Sequence, residues 1–323
     1  MTLYLDYQAT TPLAPEVAAA MRPWLDTKFA NPHSAHKLGR EAAAAIAVAR
    51  DQVAALLPPG GTLYFTSGAT EALNWALRCA GSGGIALPDT EHAAVRDTAL
   101  WLGAQGRAVT QLPVGADGLV DAGSALPDGT GLVATMLVNN EIGVIQPVAA
   151  LAEAAHAQGA LMLCDAVQGY GRMAIPEGPD LIAFSAHKIH GPKGIGALWV
   201  KEGVQIAPLI FGGGQEGGLR SGTLSPALCA GFGAAAALAR ARLEDDAAHV
   251  ATLWELALAR LPEGWHINGS PGHRYRGNLN IRRDGLDVAR LMSDVRGVAF
   301  SAGSACASGS GRPSHVLKAI GLS

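Results

Sequence analysis

The chain is short of charge and of aromatic rings: of its 323 residues, 16% are Asp, Glu, Lys or Arg and 5% are Phe, Trp or Tyr. Lys and Arg are scattered, and the formal net charge is -3. No basic block marks a nucleic-acid or anionic-membrane partner. Long hydrophobic runs are missing too, and no stretch approaches the ~20 apolar residues of a membrane span. The first residues, Met1-Thr2-Leu3-Tyr4-Leu5-Asp6, bring an acid early and form no apolar signal core. The expectation is a soluble protein of the cytoplasm. Cysteine is scarce: Cys79, Cys164, Cys229 and Cys306 lack metal-type spacing and are too few for a disulfide scaffold.

What is abundant is apolar. Of all residues 49% are hydrophobic, enough for a large core, and the length fits about two domains. So little charge also implies that part of the surface is covered by another subunit. Strands are expected at Thr62–Thr66, Gly84–Leu87, Ala108–Leu112, Leu132–Val138, Ala160–Cys164, Leu181–Phe184 and Gly196–Val200. Amphipathic stretches of helical length separate several of them, at Thr70–Ala80, Ala93–Gly103 and Pro147–Gln158. This alternation predicts an α/β fold with a mostly parallel sheet covered on both faces. Ligands in such sheets bind at the carboxyl ends of the strands. From about Ser225 the pattern changes to two alanine-rich helices, Pro226–Arg242 and Asp245–Leu261. Short strands follow at Trp265–Asn268, Asn278–Ile281 and Val298–Ser301, with a helix at Leu286–Val295, as expected of a smaller α+β domain. The expected division is a large domain over residues 14–243 and a small one made of 1–13 and 244–323.

Two of the apolar runs end in ionisable residues: Leu161-Met162-Leu163-Cys164 leads to Asp165, and Leu181-Ile182-Ala183-Phe184 leads through Ser185-Ala186-His187 to Lys188. A lysine that forms an imine and an acid that pairs with a pyridinium nitrogen are the two protein groups pyridoxal phosphate (PLP) requires. Each residue alone also reads as something ordinary, a loop lysine or a helix cap. Thr66-Ser67-Gly68-Ala69-Thr70-Glu71 follows a strand and opens a helix. Its small residues and free N–H groups suit a phosphate, and equally an ordinary start capped by Thr70 or Ser67. His92, just past a strand, is placed to stack on an aromatic cofactor and move protons, or is a structural histidine. Asn139 and Asn140 end another strand with two amides, and Gln168 follows Asp165 by three residues. His187 and His190 share a metal-pair spacing, but no acid stands between them and Lys188 would repel a cation, so no metal is expected. Gly212–Thr223 is a glycine-rich loop with one arginine, read either as a flexible connector or as a reach toward a phosphate across a dimer interface. Cys79, Cys164 and Cys229 lie in apolar patterns that favour buried inert thiols. Cys306 lies among ten small residues, Ser301 to Ser310, where a mobile loop with a reactive thiol is expected.

These motifs together resemble the cysteine desulfurases of the class V aminotransferase group, which supply sulfur for iron–sulfur clusters. The matching stretches run in order along essentially the whole chain: Tyr4–Pro12, Asn31-Pro32-His33-Ser34, Thr66–Glu71, Glu91-His92, Asn139–Gln146, Asp165–Gln168, Ser185–Gly194, Gly212–Thr223, Ser301–Cys306 and Pro313–Leu317. The resemblance implies a PLP-dependent fold of type I and a homodimer. It implies Lys188 as the Schiff-base lysine, Asp165 at the pyridinium nitrogen, Gln168 on the phenolic oxygen and His92 over the ring. Thr70, Ser185 and His187 would form the phosphate site, joined by Thr223 of the second subunit; Ala69 would also bind the cofactor, and Asn140 would orient the substrate, L-cysteine. Cys306 would take the sulfur and pass it to a separate acceptor protein such as an iron–sulfur scaffold. A transaminase on the same scaffold would have no use for Cys306. The chain departs from the family pattern at Gly217, where an arginine is usual. The family's carboxylate-binding arginine falls beyond Ser323, which leaves Arg220, Arg282 and Arg283 as the expected substitutes.

Overall fold

The computed structural model describes residues 2–123, 125–303 and 314–322. The expected loop around Cys306 therefore lies outside the described residues, except for its first three. In chain order the strands are β1 (Leu3–Tyr4), β2 (Gly61–Thr66), β3 (Gly84–Pro88), β4 (Val109–Leu112), β5 (Thr130–Met136), β6 (Leu161–Asp165), β7 (Leu181–Ser185), β8 (Gly196–Lys201), β9 (His266–Ile267), β10 (Ile281–Arg282) and β11 (Val298–Ala299). The α-helices are α1 (Pro15–Asp26), α2 (Lys37–Ala54), α3 (Ala69–Cys79), α4 (Ala93–Ala104), α5 (Val148–Ala157), α6 (Pro226–Ala259), α7 (Val288–Asp294) and α8 (His315–Ala319).

Seven strands form one sheet in the order β2-β8-β7-β6-β5-β3-β4. Strand β8 runs antiparallel to both its neighbours, and every other neighbouring pair is parallel. Six strands therefore deliver their carboxyl ends to one edge. The seven expected strands are all present, shifted by at most two residues at an end. The largest shift is at β5, where Val138 leaves the ladder to bridge Ile145 instead.

The sheet is apolar on both faces because both are covered. Along β6, Met162 and Cys164 point into the core beneath α2, α5 and α6, while Leu163 points into the core beneath α3 and α4. Around Tyr170, Phe184, Phe65 and Phe232 the first core is aromatic. The Tyr170 and Phe184 rings stack with centroids 4.1 Å apart, and the Tyr170 hydroxyl donates to the Val53 carbonyl at 2.7 Å. Gly196 opens β8 where no side chain fits: a Cβ there would lie 2.6 Å from the Gly68 carbonyl carbon. That absence lets the strand pass directly under the turn that starts α3.

Two helices expected after Ser225 are one. Helix α6 runs unbroken for 34 residues, since no glycine or proline interrupts it after Gly233. Its start is capped by Ser225, whose Oγ accepts from Leu228 N. Helices α1 and α2, outside the segments read above, pack against its first half. The remaining short strands pair as β1 with β11, parallel, and β9 with β10, antiparallel.

Phe232 is fully buried against Phe65, Tyr170 and Phe184. Phe232→Ala is expected to cost about 3–5 kcal/mol of stability, measured as a lower urea midpoint with an unchanged slope. A loss under ~1 kcal/mol would show that this cluster does not carry the core.

Candidate active site

The carboxyl ends of β2, β3, β5, β6 and β7 surround one cavity of about 510 Å³. Its wall brings together Ala69, Thr70, His92, Asn140, Asp165, Gln168, Ser185, His187 and Lys188, nine of the residues picked from the sequence. Thr223 does not line it; that residue is exposed on the loop before α6. Cys306 lies outside the described residues, although Ser301 and Gly303 just before it reach the cavity wall.

Lys188 closes a turn of 3-10 helix after β7. Its Nζ donates to the carbonyls of Gln8 at 2.5 Å and Ala9 at 2.8 Å. Asp165 ends the neighbouring strand and is 5% exposed. Its Oδ1 accepts from Val167 N at 3.0 Å, and among the described residues no group donates to Oδ2. Burial raises the Asp165 acid above the ordinary carboxylate range, opposed by His92, the Val167 N–H and Lys188. His92 caps α4: its Nδ1 accepts from Ala94 N at 3.1 Å. That bond leaves any proton of the neutral ring on Nε2. So His92 is both the structural cap and a cavity residue.

At the other end of the cavity, Ser185 Oγ accepts from Ala69 N at 2.8 Å. The capping residue of α3 is Gly68, with no side-chain cap bond, which sets aside Thr70 and Ser67 as caps. Among the described residues no acceptor takes the Thr70 N–H, so an orphan donor of the first helical turn faces the cavity. His187 Nδ1 lies 3.1 Å from Thr10 Oγ1. Burial and then the charges of Lys188, Lys193 and Arg172 push His187 down to about 4, so its ring is neutral at pH 7. Of the two amides, Asn140 lines the cavity, whereas Asn139 is consumed by structure. It donates to Thr90 O and accepts from Glu141 N and Ile142 N.

Several residues of the site carry no role in the sequence reading above. The segment Asp6–Thr10 forms one wall, and Arg172 ties it down. The Arg172 guanidinium donates to Gln168 Oε1 at 2.7 Å, Lys188 O at 2.8 Å, Tyr7 O at 3.1 Å and Gln8 Oε1 at 3.2 Å. Gln168 Nε2 in turn donates to Gln8 O at 2.9 Å. Arg172 lies one helical turn past Gln168, the only sequence signal that pointed to it. Glu91 is fully buried, accepts from Met136 N at 2.8 Å, and leaves Oε2 without a partner. Burial, with Asp165 nearby, raises it well above the ordinary carboxylate range, against the Met136 N–H and the Thr135 hydroxyl, which lower it. Lys193 sits at the rim.

The three arginines expected as substitutes for carboxylate binding are elsewhere. Arg220 Nε lies 2.7 Å from Glu71 Oε1, Arg282 donates to Asn268 Oδ1 at 2.8 Å, and neither these two nor Arg283 lines the cavity. Arg220 is spent on neutralising the acid in the first turn of α3, whose Oε2 also accepts from Ser67 N. Among the described residues no group of three His, Cys, Asp or Glu could hold a metal ion. No helix there is long and apolar enough to cross a membrane. Burial raises Cys164 well above the ordinary thiol range and Cys229 to about 12, and it also raises Cys79. Cys164 and Cys229 are buried as expected, whereas Cys79 is only half-buried.

A single reversed strand in a parallel sheet, with a lysine and a buried aspartate at adjacent strand ends, defines the fold type I scaffold. The donor set fits a flat cationic heterocycle carrying an anionic tail: a buried acceptor at one end, orphan N–H and hydroxyl groups at the other, a primary amine between. The aminotransferase class-V family model matches residues 3–322. A cysteine desulfurase IscS of Rickettsia rickettsii (strain Iowa) is 41% identical over 342 residues, covering 100% of this chain and 83% of the relative. A solved NifS-like protein from Rickettsia africae superposes with a TM-score of 0.88 at 29% identity, covering 100% and 91% of the two chains. The structure described as SspA in complex with cysteine does so with a TM-score of 0.85 at 33% identity, covering 100% and 95%. The chain belongs to the class-V aminotransferase family, in its cysteine desulfurase branch. That family depends on PLP.

Glu71 is held below its ordinary value; burial opposes this, and the bonds from Arg220 and Ser67 outweigh it. A lowered folded-state value means that the ion pair stabilises the fold above the unfolded carboxylate value and is lost as pH falls through the folded one. Arg220→Ala is expected to cost about 1–3 kcal/mol at pH 7. The gap from wild type should narrow below about pH 4. A gap that widens in acid would contradict this account.

Proposed function

We propose that this protein is a PLP-dependent cysteine desulfurase that converts L-cysteine to L-alanine and places the sulfur on Cys306 as a persulfide. The observation that carries the reading is the convergence of Lys188, Asp165 and His92 on one cavity at neighbouring strand ends, in a chain whose full-length relatives bear that activity's name. PLP, when bound, supplies an electron sink for the bonds at the substrate's Cα.

The residues present supply the rest. Lys188 is the residue that would hold the cofactor aldehyde, and its amine, once free, would carry the Cα proton. The carbonyls of Gln8 and Ala9 fix where that amine waits. Asp165 would face the ring nitrogen with Oδ2, and a cation opposite it favours the ionised carboxylate against the burial that opposes it. His92, with Nδ1 committed to α4, would lie over the ring and offer its Nε2 proton. Thr70, Ser185 and His187 would bind the phosphate, with Ala69 holding Ser185 in place through its N–H; Gln168 would meet the phenolic oxygen, and Asn140 would orient the substrate. The Cys306 thiolate would attack the substrate sulfur. One S–S bond forms, the substrate Cβ–S bond breaks, and the released pair ends as a C–H bond of alanine. A sulfur-acceptor protein such as an iron–sulfur scaffold would then take the persulfide sulfur.

Thr223, exposed on a loop that also exposes Phe211 at 82%, is proposed to complete the phosphate site of a second copy in a homodimer. The division into domains 14–243 and 1–13 with 244–323 is part of the same reading, the small domain carrying Cys306. Free thiols at Cys79, Cys164 and Cys229 suit a reducing compartment, and the cytoplasm is the proposed place of action.

The test is to incubate the PLP-loaded protein with L-cysteine and reductant and to follow alanine and sulfide together. Equal amounts of both are expected. Cys306→Ser should lose turnover, by at least about a hundredfold, while keeping the cofactor's absorption band. Mass spectrometry without reductant should find the added sulfur on the Cys306 peptide. Alanine production undiminished in Cys306→Ser would sink the assignment of the thiol, and no alanine from the wild type would sink the function.

A further inference from the structure

Resting on the PLP reading, we propose that Lys193 is a cofactor-binding residue: the cation that balances the charge of the phosphate at the rim of the cavity.

A bound phosphate ester brings about two negative charges near neutral pH. The groups placed to hold it bring no full positive charge of their own: the Thr70 amide, the hydroxyls of Thr70 and Ser185, and a His187 ring that burial and neighbouring cations push down to about 4. The partial positive charge at the start of α3, an 11-residue helix, offsets only part of that charge. Glu71 in the first helical turn is neutralised by its ion pair with Arg220, which leaves that arginine no charge to spare for the phosphate.

Among the described residues, Lys188 is the other lysine of the lining, and it and the nearby arginines are engaged with other groups. Lys188 points its Nζ at the carbonyls of Gln8 and Ala9, and its amine is needed at the aldehyde. Arg172 spends its guanidinium on Tyr7, Gln8, Gln168 and Lys188. Arg50 pairs with Glu216. Lys193 differs from all three. It sits in the chain between the Lys188 turn and β8 and lines the same cavity as Gly68, Ala69 and Thr70. Gly196, three residues on, passes directly under Gly68. Among the described residues Lys193 forms no ion pair with a carboxylate, and it is exposed toward the cavity rim. Its charge reaches this end, for it is one of the charges that hold His187 neutral. An ammonium on a flexible stem suits a phosphate as a point charge.

The experiment compares two aldehydes, pyridoxal 5′-phosphate and pyridoxal, by equilibrium titration of the apoprotein. Both form the same bond to Lys188, and only one carries the phosphate. Lys193→Gln is expected to weaken PLP about tenfold, to leave pyridoxal affinity unchanged, and to lose much of the salt dependence of PLP binding. Lys193→Arg should restore both. Because the side chain is exposed, the variant should melt with the wild type. PLP affinity unchanged in Lys193→Gln, or pyridoxal weakened equally, overturns the assignment. So does a variant that keeps PLP affinity but raises the KM for cysteine, which would place Lys193 on the substrate carboxylate instead. A wild-type protein that takes up neither aldehyde overturns the cofactor reading itself, and this assignment with it.

Discussion

The arrangement of the site depends on one buried junction, where Arg172 clamps the segment Tyr7–Gln8 onto the turn that carries Lys188. Four acceptors converge on one guanidinium, a fork geometry that a lysine could not reproduce. Thr11 reinforces it: its N–H and hydroxyl both donate to His187 O, and the same hydroxyl accepts from His190 N. His190 itself has a φ of 63°, an uncommon conformation for a residue with a side chain. Those bonds on either side of the Lys188 turn hold it there. A catalytic amine must be presented at a fixed angle, and here the angle is set by a chain segment some 180 residues away in sequence, bonded through its backbone.

From this junction the sheet does the remaining work. Parallel strands covered on both faces end along one edge, and each end delivers one group: Asp165 from β6, the Lys188 turn from β7, His92 beyond β3, the α3 turn from β2. The close passage of Gly196 beneath Gly68 brings the phosphate end of the cavity against β7 and β8. The acids are sorted by environment. Glu91 is buried with one oxygen unpartnered, and burial pushes it well above the ordinary carboxylate range. Asp165 keeps a cavity-facing oxygen, and Glu71 is paired off by Arg220.

Much of this was legible in the sequence, for identifiable reasons. Strands buried on both faces appear as unbroken apolar runs, so β6 and β7 were readable, and the ionisable residue after each stands out against them. The cavity then collects nine of the chosen residues because one edge of a parallel sheet is where such ends meet. The misses share another cause. Whether Arg172, Gln8 and Lys193 face the site depends on long-range packing that no local pattern encodes. Arg220 could be read as a free cation only while its partner, Glu71, 149 residues away, was unknown. The join of two expected helices into α6 reflects a stretch with no helix-breaking residue, which a change in composition near Leu243 disguised. Thr223 and Cys306 are the two chosen residues the cavity does not include: one belongs to the proposed second subunit, and the other lies outside the described residues.

The central claim is that the amine of Lys188, held by the Gln8 and Ala9 carbonyls beside Asp165, is where the cofactor attaches. The most direct measurement is to load the protein with PLP, reduce it with borohydride, digest it and locate the pyridoxyl mass by tandem mass spectrometry. The account predicts one modified position, Lys188, and no label in Lys188→Ala. A label on Lys193 or Lys201 with Lys188 unmodified, or a protein that takes no label at all, would contradict it.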